Sequence, residues 1–142
     1  MKINFFSEDV ALPKFNKKSV IRVLVREVVN NGFAMGKLNY IFCSDSYLLD
    51  LNNRFLKHDY YTDVITFDYT EYKLVSGDIY ISTDMVKYNA LRFQQEFMVE
   101  LFRVISHGLL HLLKYNDKEK EEIELMRKME NEMVLRILSF KE

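Results

Sequence analysis

Cysteine, proline and glycine are scarce: one, one and four residues in a chain of 142. The single thiol, Cys43, cannot close an internal disulfide. That excludes a disulfide-stapled secreted scaffold and points to a reducing compartment. So little proline and glycine excludes a disordered or linker-rich chain. No apolar run reaches bilayer-spanning length. The N-terminal stretch Ile3-Asn4-Phe5-Phe6 is too short for a signal peptide and is soon followed by Glu8 and Asp9. These absences predict a cytoplasmic protein with no membrane partner. An excess of positive charge is also missing. The formal net charge is −1, so no global field draws nucleic acid to the chain, and an RNA-acting protein of this composition must concentrate positive charge locally or take it from a metal.

What is present suits a folded core. Hydrophobic residues make up 49% of the chain and charged residues 29%. Its length fits one domain, here taken as residues 1–142, and there is no internal repeat or low-complexity tract. Cys43 lies in the apolar run Tyr40-Ile41-Phe42-Cys43 and reads as a small buried hydrophobe.

Hydropathy periods give the element order. Lys2 to Phe6 reads as a strand. Asn16 caps a helix through about Asn31, with Val20, Ile21, Leu24, Val25 and Val28 at helical spacing. Lys37 to Cys43 is a second strand, and Ser44 or Asp45 caps a short helix through about Leu56. Thr62 to Tyr69 is a third strand, with Ile65, Phe67 and Tyr69 on one face and Val64, Thr66 and Asp68 on the other. Ser76-Gly77 reads as a turn before a fourth strand, Asp78 to Ser82. Ser82, Thr83 or Asp84 then opens a helix. A longer helix over about Gln95 to Leu113 is apolar nearly all round, the pattern of a helix buried mid-domain. A last helix runs from about Lys118 to Phe140. The sum is an α+β domain: a small mixed four-stranded sheet flanked by helices, with a metal cleft at the central buried helix.

The chemistry concentrates in Ser106-His107-Gly108-Leu109-Leu110-His111 and the residues that follow. Four residues apart on a helix, His107 and His111 are rotated by about 40° and separated by about 6 Å along the axis, so both imidazoles reach one ion. Unpaired imidazoles in so apolar a helix would be costly to bury. A catalytic zinc takes three protein ligands, and Asp117 is the obvious third, because Asn116 tolerates the left-handed stop that folds the chain back. Gly108 occupies the place where the zinc peptidase motif carries its general base. Peptide hydrolysis by that route is therefore missing, and the metal must activate water by itself or with a base from elsewhere.

These residues resemble the YbeY endoribonucleases, the rRNA maturation factors. Their signature is His-Gly-x-Leu-His-Leu-x-Gly-Tyr-Asp-His. His107-Gly108, Leu110-His111-Leu112 and Tyr115 match it. Upstream, Thr62-Asp63-Val64-Ile65-Thr66-Phe67 and Gly77-Asp78-Ile79 match the strands that precede it in the family. The resemblance covers roughly Leu51 to the C-terminus. It implies a zinc-dependent, single-strand-preferring endoribonuclease that matures the 3′ end of small-subunit rRNA and serves ribosome quality control. It implies single-stranded RNA, rRNA and the ribosomal small subunit or its assembly proteins as partners, with no DNA. The chain departs from the signature at Lys114, Asn116 and Asp117, so Asp117 stands where the third histidine belongs. A carboxylate there makes bound water less acidic and widens the choice of ion toward manganese. The family arginine six residues before the threonine of the Thr-Asp motif is Leu56 here. Arg54 and Lys57, with His58, are the candidates for its phosphate contact, and Lys57 and Lys114 are candidate cations for the RNA backbone. Asp63 and Asp78 read as structural. The alternative function is a non-catalytic ribosome-assembly factor whose metal site is structural or decayed.

Overall fold

The computed structural model describes residues 2–56 and 62–140. Strand β1 (Ile3–Ser7) is followed by helix α1 (Lys17–Asn30), β2 (Ala34–Cys43), α2 (Asp45–Leu51) with a π-helical continuation over Asn52–Leu56, β3 (Val64–Asp68), β4 (Leu74–Ser82), α3 (Thr83–Arg92), α4 (Phe97–Leu112) and α5 (Lys120–Ser139). The sheet order is β1-β2-β4-β3. The first three strands are parallel and β3 is antiparallel to β4, so the expected small mixed four-stranded sheet with flanking helices is what forms.

The capping residues act as their chemistry dictates. Side-chain oxygens of Asn16, Ser44 and Ser82 accept the amides of Ser19, Tyr47 and Met85, satisfying donors that a helix start leaves open. One face of the sheet carries Leu38, Tyr40, Phe42, Ile79 and Ile81, all fully buried. They pack with Leu101, Ile105, Leu109 and Leu112 of α4 and with the inner faces of α1 and α5. Each such aliphatic side chain contributes about 1.5–3 kcal/mol. The Tyr40 hydroxyl, buried among them, donates to the Ile105 carbonyl at 2.9 Å, and burial pushes its ionisation upward. The other face carries Cys43 and Ile65, which pack with the buried Leu48 of α2. Cys43 is the buried hydrophobe expected of it, its thiol pushed up to about 12 by burial.

Ser76-Gly77 is not a turn. Both lie inside β4, which starts at Leu74, and the reversal falls earlier, where Glu71 bridges Leu74 and Tyr72 takes a left-handed φ of 52°. Gly77 serves close packing instead, since a Cβ there would stand 2.6 Å from the Phe67 carbonyl oxygen. Asp78 therefore follows no turn. It accepts the Asn39 amide at 3.0 Å, and Asn39 in turn accepts from Asn4, a polar ladder across three strands.

Gly108 sets how closely α4 approaches β4. A Cβ at this position would meet Ile79 Cγ2 at 2.8 Å. Replacing Gly108 by alanine is expected to cost about 1–3 kcal/mol of overpacking, offset by about 1 kcal/mol of helix propensity. The thermal midpoint should fall by several degrees, and an unchanged midpoint would show that the helix stands further from the sheet.

Candidate metal centre

Helix α4 brings His107 and His111 to one side of its last turns. Their rings meet edge to face with centroids 4.5 Å apart, and the two Nε2 atoms are 3.0 Å apart. The helix then stops at Leu113. The amide of Lys114 returns to the His111 carbonyl and that of Tyr115 to the Leu110 carbonyl, each at 3.0 Å, which is a Schellman stop. Its left-handed residue is Lys114, at φ 75°, and not the expected Asn116. The reversal carries Asp117 back, so that its Oδ2 lies 3.5 Å from His107 Nε2 and 3.3 Å from His111 Nε2.

Hydrogen bonds behind the rings assign the tautomers. His107 Nδ1 faces Glu130 Oε2 at 2.5 Å, and His111 Nδ1 faces the Tyr115 carbonyl at 3.1 Å. Carboxylate and carbonyl only accept, so each Nδ1 carries the proton. In the neutral rings both Nε2 atoms therefore present lone pairs, and they converge with an acidic oxygen on one point. Three acceptors so close, with no proton among them, are the donor set of a cation. Bonds of about 2.0 Å in a tetrahedron imply ligand–ligand edges of about 3.3 Å, and the observed edges of 3.0, 3.3 and 3.5 Å bracket that value. The site fits a divalent ion such as zinc.

Each histidine has its own support. Behind His111, the Tyr115 hydroxyl donates to Asn31 Oδ1 at 2.8 Å, and Asn31 Nδ2 donates to the buried Glu27. Behind His107, Glu130 of α5 is 1% exposed and pairs with Arg103 at 3.1 Å. Arg103 also makes two hydrogen bonds to Glu100, at 2.9 and 2.7 Å, and lies 3.6 Å from Asp63. Burial alone would raise the Glu130 carboxyl. The His107 hydrogen bond and the Arg103 charge outweigh it and hold the group below its ordinary value. At Asp63 burial prevails over Arg103 and His107, and its carboxyl is raised. Asp63 also accepts the Asn89 amide, so it braces Arg103 and does not hydrogen-bond a ligand histidine. Glu130, Arg103 and Glu100 were not among the expected site residues. Their signal is a charge on an apolar stripe: Glu130 falls in register with Met126, Val134 and Ile137.

The cluster opens on a cleft of about 410 Å³ lined by Asn52, Leu56, Thr62 to Thr66, His107, His111 and Asp117. Leu56, at the family arginine's position, is part of this wall. Arg54 is not. Its guanidinium pairs with Asp50 at 3.3 Å, both side chains exposed, and lies over the Phe55 ring. Lys114 pairs with Asp68 at 2.9 Å. Lys57 and His58 lie outside the described residues. Gly108 faces Ile79, so a side chain at that position would press into the sheet.

No helix among the described residues is long and apolar enough to cross a membrane. The profile of the family described as Endoribonuclease YbeY matches residues 2–138. The chain is 46% identical over 131 residues to the endoribonuclease YbeY of Parabacteroides distasonis, covering 92% of each chain. To that of Porphyromonas gingivalis it is 43% identical over 134 residues, covering 94% of this chain and 89% of the other. The solution structure of a Thermotoga maritima protein superposes with a TM-score of 0.63 at 27% identity, over 95% of this chain and 88% of that one. With its fold, its paired helical histidines and a profile match along nearly its whole length, this chain belongs to the endoribonuclease YbeY family.

Proposed function

We propose that this chain is a single-domain, metal-dependent endoribonuclease that cuts single-stranded RNA, with His107, His111 and Asp117 holding one zinc ion and manganese a workable substitute. The observation that carries the reading is the convergence of two Nε2 lone pairs and the Asp117 carboxylate at the wall of an open cleft. The relatives' shared name supplies the reaction class. A bound divalent ion supplies Lewis acidity toward water and the scissile phosphodiester. The chain's own residues do the rest. Glu130 and the Tyr115 carbonyl fix the imidazole tautomers and ring orientations, which preserves the donor geometry between turnovers. Arg103 keeps Glu130 ionised. Asp117 leaves the site less positive than three histidines would. Arg54 and Lys57 remain the proposed phosphate contacts, and Lys57 and Lys114 the proposed cations for the RNA backbone, Arg54 after its side chain turns from Asp50 and Lys114 after it leaves Asp68. The family resemblance extends the reading to small-subunit rRNA maturation in the cytoplasm, with ribosomal or assembly proteins as partners.

Single-stranded RNA incubated with purified protein is expected to be cut internally, to stay intact with a chelator and to be cut again when zinc is restored. Cleavage that persists at full rate in chelator would overturn the metal-dependent reading. The second reading, a non-catalytic ribosome-assembly factor, draws on Leu56 at the arginine position and on Arg54 pointing to Asp50. It predicts binding to rRNA or a ribosomal protein without cleavage, whether the metal is held structurally or not at all.

A further inference from the structure

Strand β3 is one of the two edge strands of the sheet, and its ladder with β4 fixes which of its backbone groups stay open. The Ser82 amide donates to the Asp63 carbonyl at 3.0 Å, and the Tyr69 amide donates to the Ser76 carbonyl at 2.9 Å. Asp63 and Tyr69 thus turn their main chain toward β4. Antiparallel pairing alternates with period two, so Ile65 and Phe67 also bond β4, while Val64 and Thr66 turn their amides and carbonyls outward. That outward edge lines the cleft beside His107, His111 and Asp117. Among the described residues no hydrogen bond reaches the amide of Val64 or Thr66. The Val64 carbonyl, in contrast, is taken by the Thr62 hydroxyl at 3.4 Å. Further along the strand, the Asp68 side chain pairs with Lys114 at 2.9 Å.

We propose that the free edge of β3 is the rail on which the RNA backbone lies, with the outward amides of Val64 and Thr66 donating to phosphate oxygens beside the metal. The proposal rests on the nuclease reading and names how that site holds its substrate. An unpaired strand edge invites either a polypeptide strand or an anionic backbone. This edge offers two open donors, the Val64 and Thr66 amides, against one open acceptor, the Thr66 carbonyl, because the Thr62 hydroxyl takes the Val64 carbonyl. A polypeptide strand needs donor and acceptor at each outward residue; a phosphodiester chain needs donors only. Amides at alternate residues recur about every 6.8 Å along an extended strand. A nucleotide repeat has the same number of backbone bonds as a dipeptide, so successive phosphates can follow that spacing. Backbone amides commonly hold phosphates without reading sequence, which suits a strand-selective, sequence-tolerant nuclease. Such binding also explains how a cleft walled by Asp63 and Asp117, and by no lysine or arginine among its described lining residues, accepts a polyanion once a cation sits on Asp117.

The test uses the zinc-loaded wild type, titrated with a 2′-O-methyl oligouridylate and followed by amide proton–nitrogen spectra. The Val64 and Thr66 amide protons are expected to shift downfield and gain exchange protection, while those of Ile65 and Phe67, bonded to β4, move little. Thr66→Pro removes one outward amide and no ladder bond, a substitution that edge strands tolerate. With metal content and unfolding midpoint retained, its KM for single-stranded RNA should rise about tenfold or more, the loss of one charge-assisted hydrogen bond. Oligonucleotide binding that leaves both amides unmoved, or shifts produced by an unstructured polypeptide and not by the oligonucleotide, overturns the proposal while RNA cleavage by the wild type stands. A wild type that cuts no RNA overturns the nuclease reading itself.

Discussion

Glu130→Ala is expected to weaken zinc binding by about ten- to a hundredfold and to lower stability by about 3 kcal/mol. The carboxylate sits 1% exposed on α5 and joins the metal centre to a buried charge network. One oxygen accepts a hydrogen bond from His107 Nδ1–H and the other pairs with Arg103. Without it, His107 loses the acceptor that selects its tautomer, and the ring is free to carry the proton on the nitrogen that should face the ion. Arg103 keeps Glu100 and Asp63, so the buried guanidinium is not orphaned. The stability loss therefore falls at the low end of the range for a broken buried pair. Glu130→Gln keeps the shape and one acceptor, and it should lie between wild type and alanine in both measurements. Calorimetric zinc titration of the three proteins is the check. Equal affinities would mean that His107 is oriented by packing alone.

Asp117→Ala should lose roughly a hundredfold or more in RNA cleavage, because losing a ligand exceeds the effect of losing a ligand's support. Asp117→His tests charge apart from ligation. The position follows a Schellman stop and reaches both Nε2 atoms, so an imidazole there completes a set of three neutral donors. Metal should be retained. The acidic limb of the activity profile should move to lower pH, since the site has lost an anion. A profile that moves the other way, or Asp117→Ala activity equal to wild type, would remove Asp117 from the ligand set.

Much of this was legible in local pattern. The caps at Asn16 and Ser44 and the apolar circumference of α4 follow from short-range chemistry, and each helix formed where its period placed it. His107 and His111 were legible for the same reason, because four-residue spacing fixes their mutual reach whatever the rest of the fold does. The β4 start was obscured because Gly77 breaks the alternation of Val75, Ile79 and Ile81, and its reason for being glycine is the Phe67 carbonyl on another strand. The reversal before β4 hid because its left-handed residue is Tyr72, a residue type that carries no turn signal. Lys114 hid the helix stop in the same way. The Glu130–Arg103–Glu100 network depends on how α5 crosses α4, a tertiary fact, although a glutamate on the apolar stripe of α5 hinted at a buried partner. The free edge of β3 is also tertiary, because it follows from strand order and not from the composition of Val64 to Asp68.

Everything proposed for the cleft depends on His107, His111 and Asp117 together holding one ion. Elemental analysis of the purified wild type beside His111→Ala and Asp117→Ala tests it most directly. A single zinc equivalent per chain is expected in the wild type, and its loss from both variants with their folds intact. A wild type that takes up no zinc even when zinc is supplied, or variants that retain a full equivalent, would contradict it.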